Sequence, residues 1–398
     1  MSDAEFAYPV RRQVPISPPD EYGRVRDGDG IARVKLWDGS LAWLVCRYDD
    51  VCRLLSSPHL SADPTAPGYP MLTPGRAAST ASDRALNHLD PPDHTRSRSA
   101  LAPFFTTRTL RSFRPHVEAI VEDALDELEG SAMPADFVAR FALPVPSRVI
   151  CRFLGLPYED HEYFQAHAST RFRIDATPDD VAASSDALRE FLDSAVRHRL
   201  RHPGGDLISW LAASRAGRSI AHEELVDIVR LLLINGYETT ANMLSLAIVV
   251  LDTYSGVRKC LQRGSESEVE RAVDELLRFA TIIHLSPARA VLSDITVRGV
   301  RIARGEGVVL ALGTANRDPT AFANPDVLDV NRPVRDHLAF GFGPHYCLGH
   351  RLVRLEMVVA LVALYRRFPR LRLAVSVEDV SFKDDMAVYG VHELPIRV

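Results

Sequence analysis

The stretch that most narrows what this chain can become is Phe340-Gly341-Phe342-Gly343-Pro344-His345-Tyr346-Cys347-Leu348-Gly349. Two glycines precede the cysteine and one follows two positions later. Glycine is used where the backbone needs a positive φ or where a bulky group must come close. Leu348 to Phe368 then keeps a helical period, with Leu352, Leu355, Val359 and Val362 on one face, so a helix is expected to start at the cysteine. Backbone N–H groups of its first turn would point at the sulfur, lower the thiol pKa and stabilise a thiolate. A flat cofactor could lie against the glycines with that thiolate as axial ligand to its iron. Two other uses stay open. One is a buried cysteine in a glycine-rich turn. The other is a zinc site from His345, Cys347 and His350, which lacks the second cysteine pair of a structural zinc centre. Cys46, Cys52, Cys151 and Cys260 have no such surroundings and read as small core or surface residues.

Composition bounds the rest. The 398 residues carry a net charge of -5, with 46% hydrophobic and 25% charged residues. This is a globular composition, and the mild acidity argues against a general nucleic-acid binder. Five cysteines are too few for a disulfide scaffold, and their odd number fits a reducing compartment. The N-terminus is polar and proline-rich, without the apolar run of a secretory signal. The most apolar window, Leu231 to Leu251, is broken by Asn235, Gly236, Glu238, Thr239, Thr240 and Asn242. Those groups are costly in lipid, so the window reads as a buried helix rather than a membrane span. A cytoplasmic protein is expected, with no membrane and no nucleic acid among its partners.

The fold class expected is mainly α with a small β portion. Val34 to Trp37 and Ala42 to Cys46 read as strands around the turn Asp38-Gly39-Ser40, followed by a short helix over Tyr48 to Ser56. Residues 61–87 read as a long loop, a class usually mobile or functional. From Pro92 to about Gly264 the pattern is almost wholly helical, and Glu266 to Phe279 is a further helix. Residues 290–312 read as short strands, 316–345 as irregular, and the tail as short strands. No internal repeat and no linker is visible, so one domain over residues 1–398 is expected, with no fused reductase domain, as a monomer.

The apolar helix also carries chemistry. Glycine inside a helix costs about 1 kcal/mol relative to alanine, so Gly236 has a packing or a functional reason. Asn235 and Thr239 are four apart and share a face. Glu238 is a carboxylate in a buried segment and needs partners. Hydroxyls can also bond carbonyls one turn back and merely kink a helix; the residues alone favour neither use.

The cysteine loop resembles the haem-binding loop of the cytochrome P450 superfamily, F-x-x-G-x-x-x-C-x-G, at Phe340, Gly343, Cys347 and Gly349. The run Leu232-Leu233-Ile234-Asn235-Gly236-Tyr237-Glu238-Thr239 resembles that family's A-G-x-[DE]-T motif, and Glu275-Leu276-Leu277-Arg278 its E-x-x-R motif, with Arg332 as the third member. The resemblance runs from about Ala42 to the C-terminus and looks like that of soluble actinobacterial members. It implies a helix-rich fold around haem b (iron protoporphyrin IX), with Cys347 as the iron ligand and Phe340, Gly341, Gly349 and Gly236 beside the ring. By the same resemblance His94, Arg98, Arg289 and His345 would contact the propionates. Thr239 would hydrogen-bond dioxygen and Glu238 would relay protons through water. Asn235 departs from the family, which has alanine or glycine there. Its amide would either meet dioxygen, water or substrate at the sixth iron position, or brace the kink.

The implied activity is monooxygenation of a hydrophobic small molecule, with electrons from NAD(P)H through ferredoxin reductase and ferredoxin. Arg108, Arg111, Arg351 and Arg354 would form the ferredoxin-docking patch or be ordinary surface charge. The loop from Pro64 to Asn87, the region Phe164 to Ile174 and the tail Met386 to Val391 would line the pocket. Arg171 and Arg173 would grip an acidic group or be solvated. Competing readings are atypical haem-thiolate chemistry linked to Asn235 (coupling, desaturation or nitrogen-oxide chemistry) and a non-catalytic haem sensor or carrier. A sensor needs no proton relay.

Overall fold

The computed structural model describes residues 6–79, 85–214, 220–333 and 336–398. The two N-terminal apolar runs form an antiparallel hairpin, Ile31–Lys35 against Leu41–Val45, with Val34 opposite Ala42. The turn closes because Gly39 takes φ +83° and Asp38 Oδ1 accepts the Ser40 N–H at 2.9 Å. Leu36 belongs to that turn, its N–H bonded to the Ser40 carbonyl, so the first strand ends sooner and starts earlier than its apolar residues suggest. The hairpin joins a six-stranded sheet in the order Phe6–Ala7, Ile31–Lys35, Leu41–Val45, Gly307–Leu310, Ala288–Val291, Leu60–Ser61. Arg289 thereby lies on an inner strand, opposite Val308. Small sheets of three and two strands use the C-terminal tail with Ala135–Asp136, and Ile295–Val297 with Val300–Ile302.

The expected helical stretch divides into Asp93–Leu101, Thr107–Glu129, Pro144–Leu154, His161–Thr170, Pro178–Arg201, Leu207–Ala213, His222–Thr253 and Ser255–Arg263. Caps explain several boundaries. Thr106 accepts the Thr109 N–H, and Thr177 with Asp180 forms a capping box, as Ser265 does with Glu268 before Glu266–Phe279. The loop over 61–87 contains a short helix, Pro74–Ser79, and a 3-10 turn, Leu86–His88, while its residues 80–84 lie outside those described.

The 32-residue helix His222–Thr253 is the axis of the molecule. It packs on Pro144–Leu154, Pro178–Arg201 and His350–Arg367. Its apolar residues join a core that runs from Tyr8 to Ile396. Among the described residues no single helix is long and apolar enough to cross a membrane.

Glu275, Arg278 and Arg332 meet in the interior. Arg278 donates to both Glu275 oxygens at 2.7 and 2.8 Å, and Arg332 Nε lies 3.2 Å from Glu275 Oε1. The remaining Arg278 donors take the Asn316 and Pro325 carbonyls at 2.8 and 2.9 Å. Asn316 Oδ1 in turn accepts the Leu338 N–H at 2.7 Å, two residues before Phe340. One ion cluster thus anchors the irregular segment that delivers the cysteine loop.

Candidate functional site

The cysteine loop is closed by its own backbone. The Cys347 N–H donates to the Phe340 carbonyl at 2.9 Å, and Gly341 and Gly343 take φ of +73° and +71°. A Cβ on Gly343 would stand 2.8 Å from Ser56 Oγ and 2.9 Å from the Leu55 carbonyl, so glycine is needed for close approach as well as for φ. Gly349 has open space where a side chain would be. Phe340 is buried in the loop, with the Arg354 guanidinium 4.6 Å over its ring.

The helix does not start at the cysteine. It spans His350–Arg367 with Gly349 as N-cap, because the Cys347 N–H is already bonded to Phe340 and Leu348-Gly349 form a turn. The Gly349 and His350 N–H groups still reach the sulfur, but burial outweighs them and pushes the thiol pKa up. The Gly349 N–H, Arg98, Arg354 and the His350 N–H pull it the other way. The expected lowering of the thiol pKa is therefore corrected, burial being the larger effect. His350 Nδ1 pairs with the Cys347 carbonyl at 2.9 Å. Among the described residues no three His, Cys, Asp or Glu side chains gather as a metal centre, so the zinc option from His345, Cys347 and His350 is not assembled.

Four basic side chains from three parts of the chain converge beside this loop. His94 and Arg98 lie on the helix Asp93–Leu101, one turn apart. The His94 ring stands 4.3 Å from the His345 ring, and Arg98 Nη2 donates to the Tyr346 carbonyl at 2.6 Å. Arg289 comes from the sheet and is buried, with Nη1 on the neighbouring Ala288 carbonyl. Burial, then Arg289, His94 and Arg98, hold His345 down to about 3, and burial with Arg98 lowers His94. The nearest acid, Asp90, is occupied by Ser61 Oγ and the Ala62 N–H. The Asp90 carboxylate offsets part of the charge at His94 and Arg289. Arg98 and Arg289 supply the cluster's positive charge, and His94 Nε2 is buried without a partner. Such a cluster suits a group with two carboxylates, and the open space at Gly349 suits a flat ring on the cysteine side. The residues present fit a haem with a thiolate ligand.

On the long helix, Asn235 is exposed and Thr239 half-buried, although most of their neighbours are core. The Asn235 amide donates to the Leu231 carbonyl at 2.9 Å, and Thr239 Oγ1 donates to the Asn235 carbonyl at 2.6 Å. Of the two uses open for Asn235, this is the bracing geometry. Gly236 faces away from that side. A Cβ there would sit 2.7 Å from Ile150, so glycine lets the helix Pro144–Leu154 come close. Glu238 is buried too, and its Oε1 accepts from Lys383 at 2.8 Å and Asn242 at 3.2 Å.

Two expected cations are already engaged. Arg354 pairs with Asp274 at 2.7 Å, and Arg173 pairs with Asp175 at 3.1 Å. Arg108, Arg111 and Arg351 remain exposed. Arg111 and Arg351 line a groove of about 390 Å³ that also holds Glu266, Glu270 and Asp274, so its charge is mixed. Sequence reasoning missed Lys383 and Asn242. The available signal was that Lys383 is one of three lysines, with Lys35 and Lys259, in an arginine-rich chain.

A model of the cytochrome P450 family matches residues 186–385. The chain is 41% identical over 392 residues to the vitamin D3 dihydroxylase of Streptomyces griseolus, covering 98% of this chain and 96% of that protein. It is 40% identical over 392 residues to the 20-oxo-5-O-mycaminosyltylactone 23-monooxygenase of Streptomyces fradiae, covering 98% and 92% respectively. The crystal structure of mycinamicin VIII C21 methyl hydroxylase from Micromonospora griseorubida, bound to mycinamicin VIII, is similar with a TM-score of 0.92 and 36% identity, covering 99% of this chain and all of that one.

Proposed function

The chain belongs to the cytochrome P450 family and is a monooxygenase, and on that premise we propose that it hydroxylates a hydrophobic natural product with electrons from NAD(P)H through ferredoxin reductase and ferredoxin. The balance is R–H + O₂ + 2 e⁻ + 2 H⁺ → R–OH + H₂O. The observation that carries this reading is the convergence of His94, Arg98, Arg289 and His345 beside the Cys347 loop, with His94 Nε2 unpaired. Named activities on vitamin D3 and on a macrolide among the relatives support a bulky apolar substrate.

In this reading Cys347 would ligate the haem iron, Phe340, Gly341 and Gly349 would lie beside the ring, and the basic cluster would hold the propionates. When bound, haem b supplies the iron that activates dioxygen and oxidises the C–H bond. The protein's own part is to manage protons and water. The Thr239 proton is committed to the Asn235 carbonyl, so its oxygen keeps lone pairs free to accept a hydrogen bond from water. To donate, the hydroxyl rotates off that carbonyl and passes on a proton received from water. Once its carboxylate has left Lys383, Glu238 takes up a proton from water and passes it on to that chain as a general acid. The acid and alcohol together disfavour a sensor, and Asn235 gives one amide hydrogen to the Leu231 carbonyl.

A reduced-CO difference spectrum tests the core of the proposal. The protein is expected to give the red-shifted Soret band of a thiolate-ligated haem, and Cys347→Ser to lose it. Retention of that band by Cys347→Ser would overturn the ligand assignment. A type I shift with vitamin D3 or a macrolide, and none with a small polar amino acid, is the expected mark of an apolar pocket.

A further inference from the structure

Glu238 is held in a closed triangle. Lys383 Nζ donates to Glu238 Oε1 at 2.8 Å and to Asn242 Oδ1 at 2.9 Å, and Asn242 Nδ2 donates to Glu238 Oε1 at 3.2 Å. The lysine side chain is 12% exposed and the glutamate 7%, so the pair is screened little by water. Glu238 and Asn242 are four apart on the helix and share a face. Thr239, the next residue after Glu238, lies about 100° round the axis from it at 3.6 residues per turn. The carboxylate is therefore turned away from the face it would have to serve.

Lys383 belongs to a C-terminal hairpin. Phe382 pairs with Val391, and the Lys383 N–H donates to the Gly390 carbonyl at 2.9 Å. A Cβ on Gly390 would stand 2.1 Å from Asn242 Oδ1, so the backbone of the second arm lies directly on the triangle. The same hairpin is stitched to two other segments. The Ala387 N–H donates to the Phe172 carbonyl at 2.6 Å, and the Tyr389 N–H donates to the Ile282 carbonyl at 2.6 Å. Displacement of either segment pulls on the turn that carries Lys383. About 1 Å of movement takes a 2.8 Å contact beyond hydrogen-bond range.

We propose that Lys383 is a positioning residue that latches Glu238 to the C-terminal hairpin, so that hairpin movement decides when the carboxylate is free to exchange protons with the cleft. This rests on the proton role given to Glu238 above. A lysine suits a latch. It is a point charge on a flexible stem, whose donors turn onto Glu238 and Asn242 together and leave them together. The hairpin is then the two-state element, and any ligand that prefers its displaced position opens the latch by that differential affinity.

The test uses the haem-loaded protein without substrate, with two readouts. The first is hydrogen exchange of residues 382–391. Lys383→Met and Glu238→Gln are each expected to speed it about tenfold, the double variant no further, and Lys383→Arg to restore it. The second is the solvent isotope effect on NADPH oxidation with dioxygen, driven through a ferredoxin and ferredoxin reductase pair. It is expected to change in Lys383→Met and in Gly390→Ala, which displaces Asn242 while keeping both charges, and to return in Lys383→Arg. Gly390→Ala and the double variant cover the case in which Lys383→Met does not fold. Unchanged or additive exchange overturns the latch. Faster exchange in Lys383→Met with its isotope effect unaltered, while Glu238→Gln alters it, makes Lys383 merely structural and overturns the gating. An unaltered isotope effect in Glu238→Gln removes the proton role itself, and the gating with it, while exchange still reports the mechanical link.

Discussion

Replacing Glu275 with Gln isolates the charge of one buried group. The substitution keeps the shape and removes the anion that faces Arg278 at 2.7 and 2.8 Å and Arg332 at 3.2 Å. Arg278 is 2% exposed and the Arg332 side chain 9%, so water cannot replace the lost counter-charge. The new amide also points its own donors at two guanidiniums, and one oxygen must serve the Asp329 N–H that Glu275 Oε1 now accepts at 2.9 Å. Removing one partner of a buried ion pair costs about 3–5 kcal/mol. An unfolding entropy of about 2.1 cal/mol/K per residue gives about 0.8 kcal/mol/K for 398 residues, so the melting temperature should fall by about 4–6 °C. The assay is thermal unfolding by circular dichroism, with Glu118→Gln as control. That control breaks the exposed Arg114–Glu118 pair, which is worth at most about 0.5 kcal/mol and under 1 °C. Because Arg278 also holds the Asn316 carbonyl, and Asn316 the Leu338 N–H, Glu275→Gln should lose haem faster as well. A Glu275→Gln protein melting within about 1 °C of its parent would refute the claim that this cluster anchors the loop.

Three further outcomes follow from named contacts. His284 is buried, and burial followed by Arg12 lowers its pKa to about 4, against about 6.5 when unfolded. The unfolded chain therefore takes up the proton first. Stability from this group is complete above pH 6.5 and lost as pH falls toward 4, about 3 kcal/mol in all; His284→Gln should flatten urea midpoints across that window, and an unchanged slope would sink the assignment. Gly236→Ala puts a methyl 2.7 Å from Ile150 and should cost about 1–3 kcal/mol in urea unfolding. Its Soret band should stay in place, whereas a shifted band would return Gly236 to the cofactor. Asn235→Ala should leave imidazole-binding spectra unchanged, since its amide is bonded to Leu231, whereas Thr239→Ala should raise the hydrogen peroxide released per NADPH. Altered imidazole spectra in Asn235→Ala would contradict the bracing geometry.

What could be read from the sequence was local. The glycines around Cys347, the three-residue step from Glu275 to Arg278 and the one-turn step from His94 to Arg98 are set by backbone geometry over a few positions. The structure keeps each of these groupings together. The helix start was misread by three residues because the apolar period runs on through Leu348, while the decisive contact is the bond from the Cys347 N–H to Phe340. Arg289 could be matched to a motif, but its inner-strand position depends on Leu41–Val45 pairing with Gly307–Leu310, and no local pattern encodes that. The partners of Glu238 were out of reach for the same reason, in a more consequential place. A carboxylate in a buried helix needs a partner, and the helix period supplies Asn242 as a candidate. The cation is 145 residues away in sequence, on a hairpin turn with no motif of its own. Gly236 and Asn235 stand side by side and each had two readings that the helix tolerates equally. Ile150 bears on the first and the Leu231 carbonyl on the second, and neither is visible until the two helices are packed and the amide torsion is set. Motif residues thus report which chemistry a site is built for, while the groups that time it sit wherever tertiary packing brings a charge within reach.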